Sequence, residues 1–448
     1  KEFLEETRLQ FIVRKYSDHI SYPVKLFEID KKDAEEKTLN EASALWTRPA
    51  KEIKEEQYQE FFSHIGAGFG KPLLTMHNNT EGTISYTNLI CIPSTRPFDL
   101  FNPDRKSSLK LYINRVFITD KCDALVPSYL RFVKGLVDTQ DIDLNVSREM
   151  LQNNPAVAKI SKSLVGKILK ELKKVSEKNL DGYENFWKEY GAVLKEGLYE
   201  DAERKETLLD LCRFSTNEND KPISLSEYLE KMPDNQKDIY YISAETNAQA
   251  LASPHLEGFK SKKIPVLIMT DAIDQFWLPM IGSSKEKKFT SITQGKINLD
   301  DLNSKDKDKK SDNKDQKEKQ DKEYVDLIAQ LKVVLGEQVK DIRLSSKLTD
   351  SPVCLVADEG DMDIAMEQLM AQRDTNYKGA PRILEINGDH SLIKNMKSLI
   401  SKKENNDLVN NAGTLLFEQA RLMEGKMPAD PAQFSKIMNQ FLLKAIPN

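Results

Sequence analysis

The sequence predicts a chain of the α/β class, mixed α+β in detail: two α/β units joined by a helical spacer, then a C-terminal α/β domain ending in a helical dimerisation bundle. Three observations predict it. Segments 83–93 and 109–119 have strand period and β-branched content. Val157, Ile160, Leu164, Ile168, Leu172 and Val175 recur at helical spacing across 155–179. Segments 238–243, 245–260 and 264–270 read strand, helix, strand, a βαβ unit that makes the two strands parallel.

The bulk numbers bound the answer. A chain of 448 residues exceeds one ordinary core, so two or three domains are expected. Hydrophobic residues are 39% and charged residues 31%, a globular but highly charged balance. The 66 basic and 71 acidic residues leave a formal charge of -5, which gives no argument for nucleic-acid binding. No apolar run is long enough to cross a bilayer. Lys1-Glu2-Phe3 shows neither an initiator Met nor a signal peptide, so the expectation is a fragment lacking something upstream. Cys91, Cys122, Cys212 and Cys354 are scattered, which argues for a reducing compartment and against a disulfide frame or zinc site. His19, His64, His77, His255 and His390 show no metal-ligand spacing, and no metal is expected.

Taken in order, residues 3–15 read as a helix on Leu4, Leu9, Ile12 and Val13, and 20–27 as a strand. A short charged connector follows. Trp46 precedes a helix at 51–65 and reads as a core residue. Gly66-Ala-Gly-Phe-Gly70-Lys71 is a flexible loop, not a P-loop: only three residues separate Gly66 from Gly70, and Pro72 follows Lys71. The loop Arg96-Pro-Phe-Asp-Leu-Phe101 carries Phe98, Leu100 and Phe101, either as a partner-binding tip or as a plug folded onto the sheet.

Seventeen of the 24 residues from 300 to 323 are charged, so that run cannot bury a core. A helix at 325–336 and strands at 340–348, 353–357 and 382–386 follow. On a helix at 361–372, Met362, Met366, Leu369 and Met370 share one face, which is ordinary core or an adaptable binding surface. The end is two helices. The first, 405–423, carries Leu408, Leu415 and Leu416. The second starts at Asp430-Pro431, an N-cap followed by Pro at the first helical position, and its face is Phe434, Ile437, Met438, Phe441 and Leu442. Such helices either cap their own domain or pair with a symmetry mate as a four-helix bundle.

The stretch that carries chemistry is 138–152, a carboxylate-rich loop turning into a helix at Ser147, a good N-cap. Arg148 and Gln152 sit four apart on one helical face, beside exposed first-turn amides. That arrangement is equipped to meet a phosphate. The alternative is a surface ion pair of Arg148 with Asp141 or Asp143. Asp141, Asp143 and Glu149 as acid–base groups of a stand-alone hydrolase are a weaker reading, since acids in a helix-start loop are usually solvated.

Phe117-Ile-Thr-Asp120, the run Pro127 to Asp138, and Leu144-Asn-Val-Ser-Arg-Glu-Met-Leu-Gln152 together resemble the middle domain of the ninety-kilodalton heat-shock protein family. The similarity continues through Leu45-Trp-Thr-Arg48, Pro97-Phe-Asp-Leu-Phe101, Ile239-Tyr-Tyr-Ile242 and Met269-Thr-Asp271, nearly end to end. The short connector after Asp30 and the absence of a Met-Glu-Glu-Val-Asp tail resemble the bacterial branch.

The resemblance implies the end of an ATP-binding domain and a linker at 1–37, a middle domain at 38–285 and a C-terminal dimerisation domain at 286–448. It implies a cytoplasmic, ATP-dependent chaperone that holds unfolded or partly folded clients in a homodimeric clamp, with co-chaperones as further partners and no nucleic acid or membrane. ATP with Mg would be bound mainly by a separate N-terminal domain, so this chain alone is expected neither to hold a cofactor nor to hydrolyse ATP. Arg148 would reach the γ-phosphate with Gln152 in support. Trp46, Phe98, Leu100, Phe101, Met362, Met366, Leu369 and Met370 would meet client, and the faces of the last two helices would dimerise. The family usually has Pro where Asp143 stands, so the loop before Arg148 is expected to be less rigid here. The competing reading is a dimeric client-binding scaffold that works without ATP.

Overall fold

The computed structural model describes residues 5–27, 36–66, 71–102, 108–120, 122–143, 151, 154–219, 221–295, 297–299, 322–374, 377, 379–401 and 406–446. The chain divides into two compact units, Lys1–Cys212 and Arg213–Asn448.

The first unit opens with helix α1 (Glu6–Tyr16) and a two-residue ribbon of β1 (Lys25–Leu26) and β2 (Lys37–Thr38). The strand expected at 20–27 is thus only two residues long. Pro23 has no N–H to offer a ladder. Asn40 takes over the neighbouring backbone: its amide donates to the carbonyls of Ser17 and Tyr22, and its oxygen accepts from Val24 N at 2.7 Å. Helix α2 is Glu55–His64, shorter at its start than expected because a 3₁₀ turn at Ala50–Glu52 precedes it.

Five strands follow: β3 (Pro72–Thr80), β4 (Tyr86–Pro93), β5 (Ser108–Ile113), β6 (Val116–Thr119) and β7 (Lys134–Thr139). Their order in the sheet is β3-β4-β7-β5-β6, antiparallel except for the β5–β7 pair. The single strand expected at 109–119 is a hairpin. Asn114 and Arg115 both adopt positive φ, 51° and 64°, the geometry whose twist matches two antiparallel strands.

Helices α3 (Pro155–Lys178), α4 (Leu180–Glu200) and α5 (Lys205–Leu211) complete the unit. Asn154 caps α3 by accepting from Ala156 N at 2.8 Å, and Pro155 occupies the first turn, where its missing N–H costs nothing. The expected apolar stripe is buried from Val157 to Leu172. In α4, Phe186 meets Phe132 edge-on and Tyr190 lies tilted against it, with ring centroids 5.6 and 4.7 Å apart.

The second unit holds two sheets. In the first, β8 (Ser215–Thr216), α6 (Leu225–Lys231), β9 (Ile239–Ser243), α7 (Asn247–Leu251), α8 (Glu257–Ser261), β10 (Leu267–Met269), α9 (Asp274–Ile281), β11 (Ser283–Ser284) and β12 (Lys287–Ser291) follow in sequence. The strand order is β11-β12-β9-β10-β8, and β12, β9 and β10 run parallel as the βαβ pattern requires. The helix expected across 245–260 is two short helices. Pro254 cannot continue α7, and Ser253 caps a new turn by accepting from His255 N at 3.3 Å.

The last part contains α10 (Val325–Leu335), β13 (Val339–Leu344), β14 (Val353–Val356), α11 (Ile364–Arg373), β15 (Arg382–Ile386), α12 (Ser391–Ser401), α13 (Asn406–Met423) and α14 (Pro431–Ala445). The three strands are ordered β13-β15-β14, with β15 wholly buried in the centre. Leu327 and Leu331 of α10, Ile393 and Met396 of α12, and Val409 and Leu416 of α13 share one core over this sheet. The sequence reading had no element at α12.

Among the described residues, no helix is long and apolar enough to cross a membrane. All four cysteines are free and buried. Burial pushes the Cys91 thiol up to about 11, so it stays protonated at neutral pH.

Gly135 in β7 is the tightest point of the first sheet. Its φ is +128°, and a Cβ there would run into the carbonyl oxygen of Leu89 on β4. Gly135→Ala is expected to cost about 3 kcal/mol in urea unfolding through backbone strain and overpacking. A change below about 0.5 kcal/mol would show that the strand pair can open without loss.

Candidate functional sites

The stretch expected to carry chemistry starts on β7. Its first carboxylate, Asp138, is buried, and accepts from the Trp46 indole N–H at 2.8 Å and from Arg115 N at 3.2 Å. Burial pushes the Asp138 carboxyl up, and those two bonds pull against it. Further along, Thr139 donates to Ser85 O at 2.8 Å, and Asp141 accepts from Ser85 N at 2.5 Å. Asp141 therefore anchors its own loop, and Ile142 beside it is buried. Asp143 is exposed. Arg148, Glu149, Gln152 and the cap residue Ser147 lie outside the described residues, as do Gly66-to-Lys71's central residues 67–70 and the charged run 300–321. Leu151 is buried, and Asn154 caps the helix beyond.

Trp46 is 2% exposed and packs with Ala44, Leu89, Tyr112 and Leu136. Its ring lies 5.0 Å from Tyr112 and 4.7 Å from His19. The core position weighed from the sequence describes where it sits, and no face of it is left for a partner.

The loop 96–101 divides its three apolar groups. Leu100 is fully buried, whereas Phe98 is fully exposed and Phe101 half-exposed. It is both plug and tip. The device that holds it is Arg131, which the sequence reading did not single out. Arg131 Nε donates to Leu100 O at 2.8 Å, and its two terminal nitrogens clasp the Glu196 carboxylate of α4 at 2.5 and 2.8 Å. Glu189 of the same helix accepts from Arg96 N at 3.0 Å. The Arg96 guanidinium then lies over the Phe101 ring, 5.6 Å from its centroid. The loop is thereby anchored with two aromatic rings turned outward.

Helix α11 buries a charged residue beside the apolar Ile364. Its inward residues include Glu367, 3% exposed, which accepts from Ala380 N at 2.6 Å and pairs with Arg382. Met362, just before the helix, is 41% exposed, and Met366, Leu369 and Met370 are half-buried. Asp363 starts the helix by accepting from Ala365 N at 2.9 Å, and is itself held by the hydroxyls of Ser291 and Thr293 at 2.5 and 2.9 Å. Ile364 and Glu367 thus form the inner face, and the methionine face is left half-covered.

The last two helices also divide. Leu416 of α13 is buried in its own domain core, while Leu408 and Leu415 are half-buried. In α14, Ile437 is buried among the described residues, and Phe434 and Phe441 are half-buried. Met438 is 39% and Leu442 49% exposed. Leu443 and Ile446, which the sequence face omitted, are more exposed still. Leu416, Ile437 and the half-buried Phe441 serve this chain's own packing, while Met438, Leu442, Leu443 and Ile446 of the α14 end are exposed.

Arg131→Met tests the loop anchor. The substitution leaves Glu196 without its partner and is expected to cost about 3 kcal/mol in chemical unfolding, with faster proteolysis at 96–101. Unchanged proteolysis would mean that Leu100 alone holds the loop.

Comparison with known proteins places the chain. The family described as "Hsp90 protein" matches residues 28–447. "Chaperone protein HtpG" of Roseobacter denitrificans is 44% identical over 448 residues, 100% of this chain and 70% of that protein. The protein of the same name from Paramagnetospirillum magneticum is 46% identical over 99% of this chain and 70% of its own length, and that from Wolbachia pipientis is 42% identical over 99% and 69%. The match is continuous through both units and takes in every site described above, and the chain belongs to the Hsp90 family of molecular chaperones.

Proposed function

We propose that the chain forms the client-gripping and dimerising part of an ATP-driven clamp, and that Arg148 completes an ATP site whose nucleotide is held by a separate domain. The observation that carries the client-binding half is the orientation of α11. A helix normally buries its apolar face and exposes its charges. Here Ile364 and the charged Glu367 are inside, Met362 is exposed, and Met366, Leu369 and Met370 are only half-buried. Unbranched, polarizable methionine side chains adapt to varied apolar partners, as capture of unfolded chains demands. Phe98 and Phe101 offer a second apolar surface of the same kind.

Dimerisation is supported by α14. Exposed Met438, Leu442, Leu443 and Ile446 leave apolar surface that a monomer has no use for. Pairing with the same surface of a second copy covers it by a closed, self-complementary contact.

For ATP hydrolysis the support is chemical. Arg148 and Gln152 stand four apart in the sequence after Ser147, and the chain ahead of them is held at Thr139 and Asp141 to Ser85. An arginine delivered from a neighbouring domain supplies positive charge where negative charge spreads in phosphoryl transfer. Gln152 orients that arginine. Mg and nucleotide belong to the other domain, and this chain alone turns over no ATP.

Two measurements test the reading. In a polypeptide that carries the ATP-binding domain ahead of this chain, Arg148→Ala is expected to lower ATP turnover by roughly 10³-fold with nucleotide affinity unchanged. An unchanged rate would make Arg148 a surface ion-pair residue and leave an ATP-independent scaffold. Met362→Gln, Met366→Gln and Met370→Gln together are expected to weaken capture of an unfolded reporter protein by about tenfold. Capture at full strength would move client binding elsewhere.

A further inference from the structure

The first sheet of the second unit has a crevice at the C-terminal ends of β9 and β10. These neighbouring strands run parallel, with Ile242 beside Ile268. The helices that follow them leave to opposite faces. Phe289 of β12 stands beside Ile239 in register, so its ring and that of Tyr240 lie on different faces of the sheet. Tyr240 packs on Phe259 of α8, with centroids 5.2 Å apart, and Phe289 packs on Trp277 of α9 at 5.6 Å. Helix α8 follows β9, and α9 follows β10. In open α/β sheets, such a parting of the chain beyond two adjacent strands is where ligands enter.

A cavity of about 130 Å³ lies there. Glu245, Asp271 and Gln275 line it from the segments that leave the two strands. Helix α11 lines it with Ala365, Gln368, Leu369 and Gln372, an i, i+3, i+4, i+7 set that forms one helical face. That face adjoins Met366 and Met370. The two leaving segments are fixed by bonds of their own. Glu245 N donates to Gln249 Oε1 at 3.2 Å, and Asp271 N donates to Asp274 Oδ2 at 3.1 Å. Asp274 in turn accepts from the Trp277 indole at 2.7 Å.

The lining has one sign. Two carboxylates and three side-chain amides converge on the space, and no Lys, Arg or His is among the described residues around it. Glu245 is exposed, and among the described residues its carboxylate enters no ion pair. Gln368 donates through Nε2 to Glu424 O at 2.6 Å, which leaves its oxygen as an acceptor for a further donor. Such a lining calls for positive charge and several N–H donors. Met269 and Leu369 in the same walls suit a hydrocarbon stem. The volume falls below the roughly 300–1,000 Å³ of sites that enclose a whole ligand and is room for one long side chain. A guanidinium group brings five donors in a plane, no acceptor and a permanent charge, on an apolar stem.

We propose that this crevice seats the arginine side chain of a client segment lying along α11. The methionine face grades a client by apolar content, and the crevice beside it selects segments in which an arginine stands among the apolar residues. The inference rests on the reading of α11 as a client surface and adds a charge-reading subsite to it.

The test is fluorescence anisotropy of the whole chain with two labelled, unstructured peptides rich in leucine and phenylalanine. One has a central arginine, and the other has citrulline, its neutral isostere, in that place. The arginine peptide is expected to bind about tenfold more tightly. Glu245→Gln is expected to shrink that preference, and Gln372→Lys, which sets a cation in the wall, to abolish it. Thermal melts of both variants check that the fold is intact. The triple methionine substitution given above is expected to weaken both peptides alike. Equal binding of the two peptides by the unsubstituted chain, with both weakened by the triple substitution, would overturn the crevice and leave the client surface standing. An arginine preference that survives both Glu245→Gln and Gln372→Lys would also overturn it. Peptide binding indifferent to the triple substitution would overturn the client surface instead, and an arginine preference lost in Gln372→Lys would still support the crevice as a guanidinium site. Binding of neither peptide would overturn both.

Discussion

The carboxylate of Asp138 is the constraint on which the first unit depends. It sits at the end of β7, buried, and three separate parts of the chain converge on it. Trp46 brings the segment before α2, Arg115 N brings the β5–β6 hairpin, and β7 itself continues into the loop that leads to Arg148. A buried charge must be met by donors or it costs several kcal/mol. The need to satisfy one oxygen pair thus sets the position of a tryptophan 92 residues away in sequence. It also fixes the end of β7, from which the chain runs on through Asp141 and Ile142.

The second unit solves a similar problem differently. The centre of its C-terminal sheet, β15, carries Arg382 and Glu385 among apolar neighbours. Glu385 is fully answered: Arg343 donates to it at 2.8 and 3.0 Å and Ser345 at 2.9 Å. Lys347, 1% exposed, stands 4.0 Å from it and donates to Ile292 O at 2.7 Å. Arg382, three residues earlier on the same strand, is not answered to the same degree.

Much of the fold was legible in the sequence, and the exceptions have local causes. Helix α3 carried an asparagine cap, a proline start and an unbroken apolar stripe, so pattern and local chemistry agreed. The β5–β6 hairpin was hidden because Arg115 is a poor advertisement for positive φ. Strand β3 was missed because His77, Asn78 and Asn79 lie in its middle and break the apolar alternation. Pro254 could have been read as a break and was not. Of the candidate sites, the methionine face and the apolar loop were visible as residues, but their inward or outward orientation was not. Orientation came from Glu367 with Arg382 and from Arg131 with Glu196, pairs far apart in sequence whose meeting no local pattern encodes.

The inward Glu367 has one further consequence. Helix α11 is fixed in rotation by an ion pair and a backbone bond on its inner side as well as by the buried Ile364. Residues on the outer side are therefore released from the volume matching that governs a core. That face is free to drift in size and shape over generations while the fold stays put, which is the latitude a surface needs if its ligands are many and never the same.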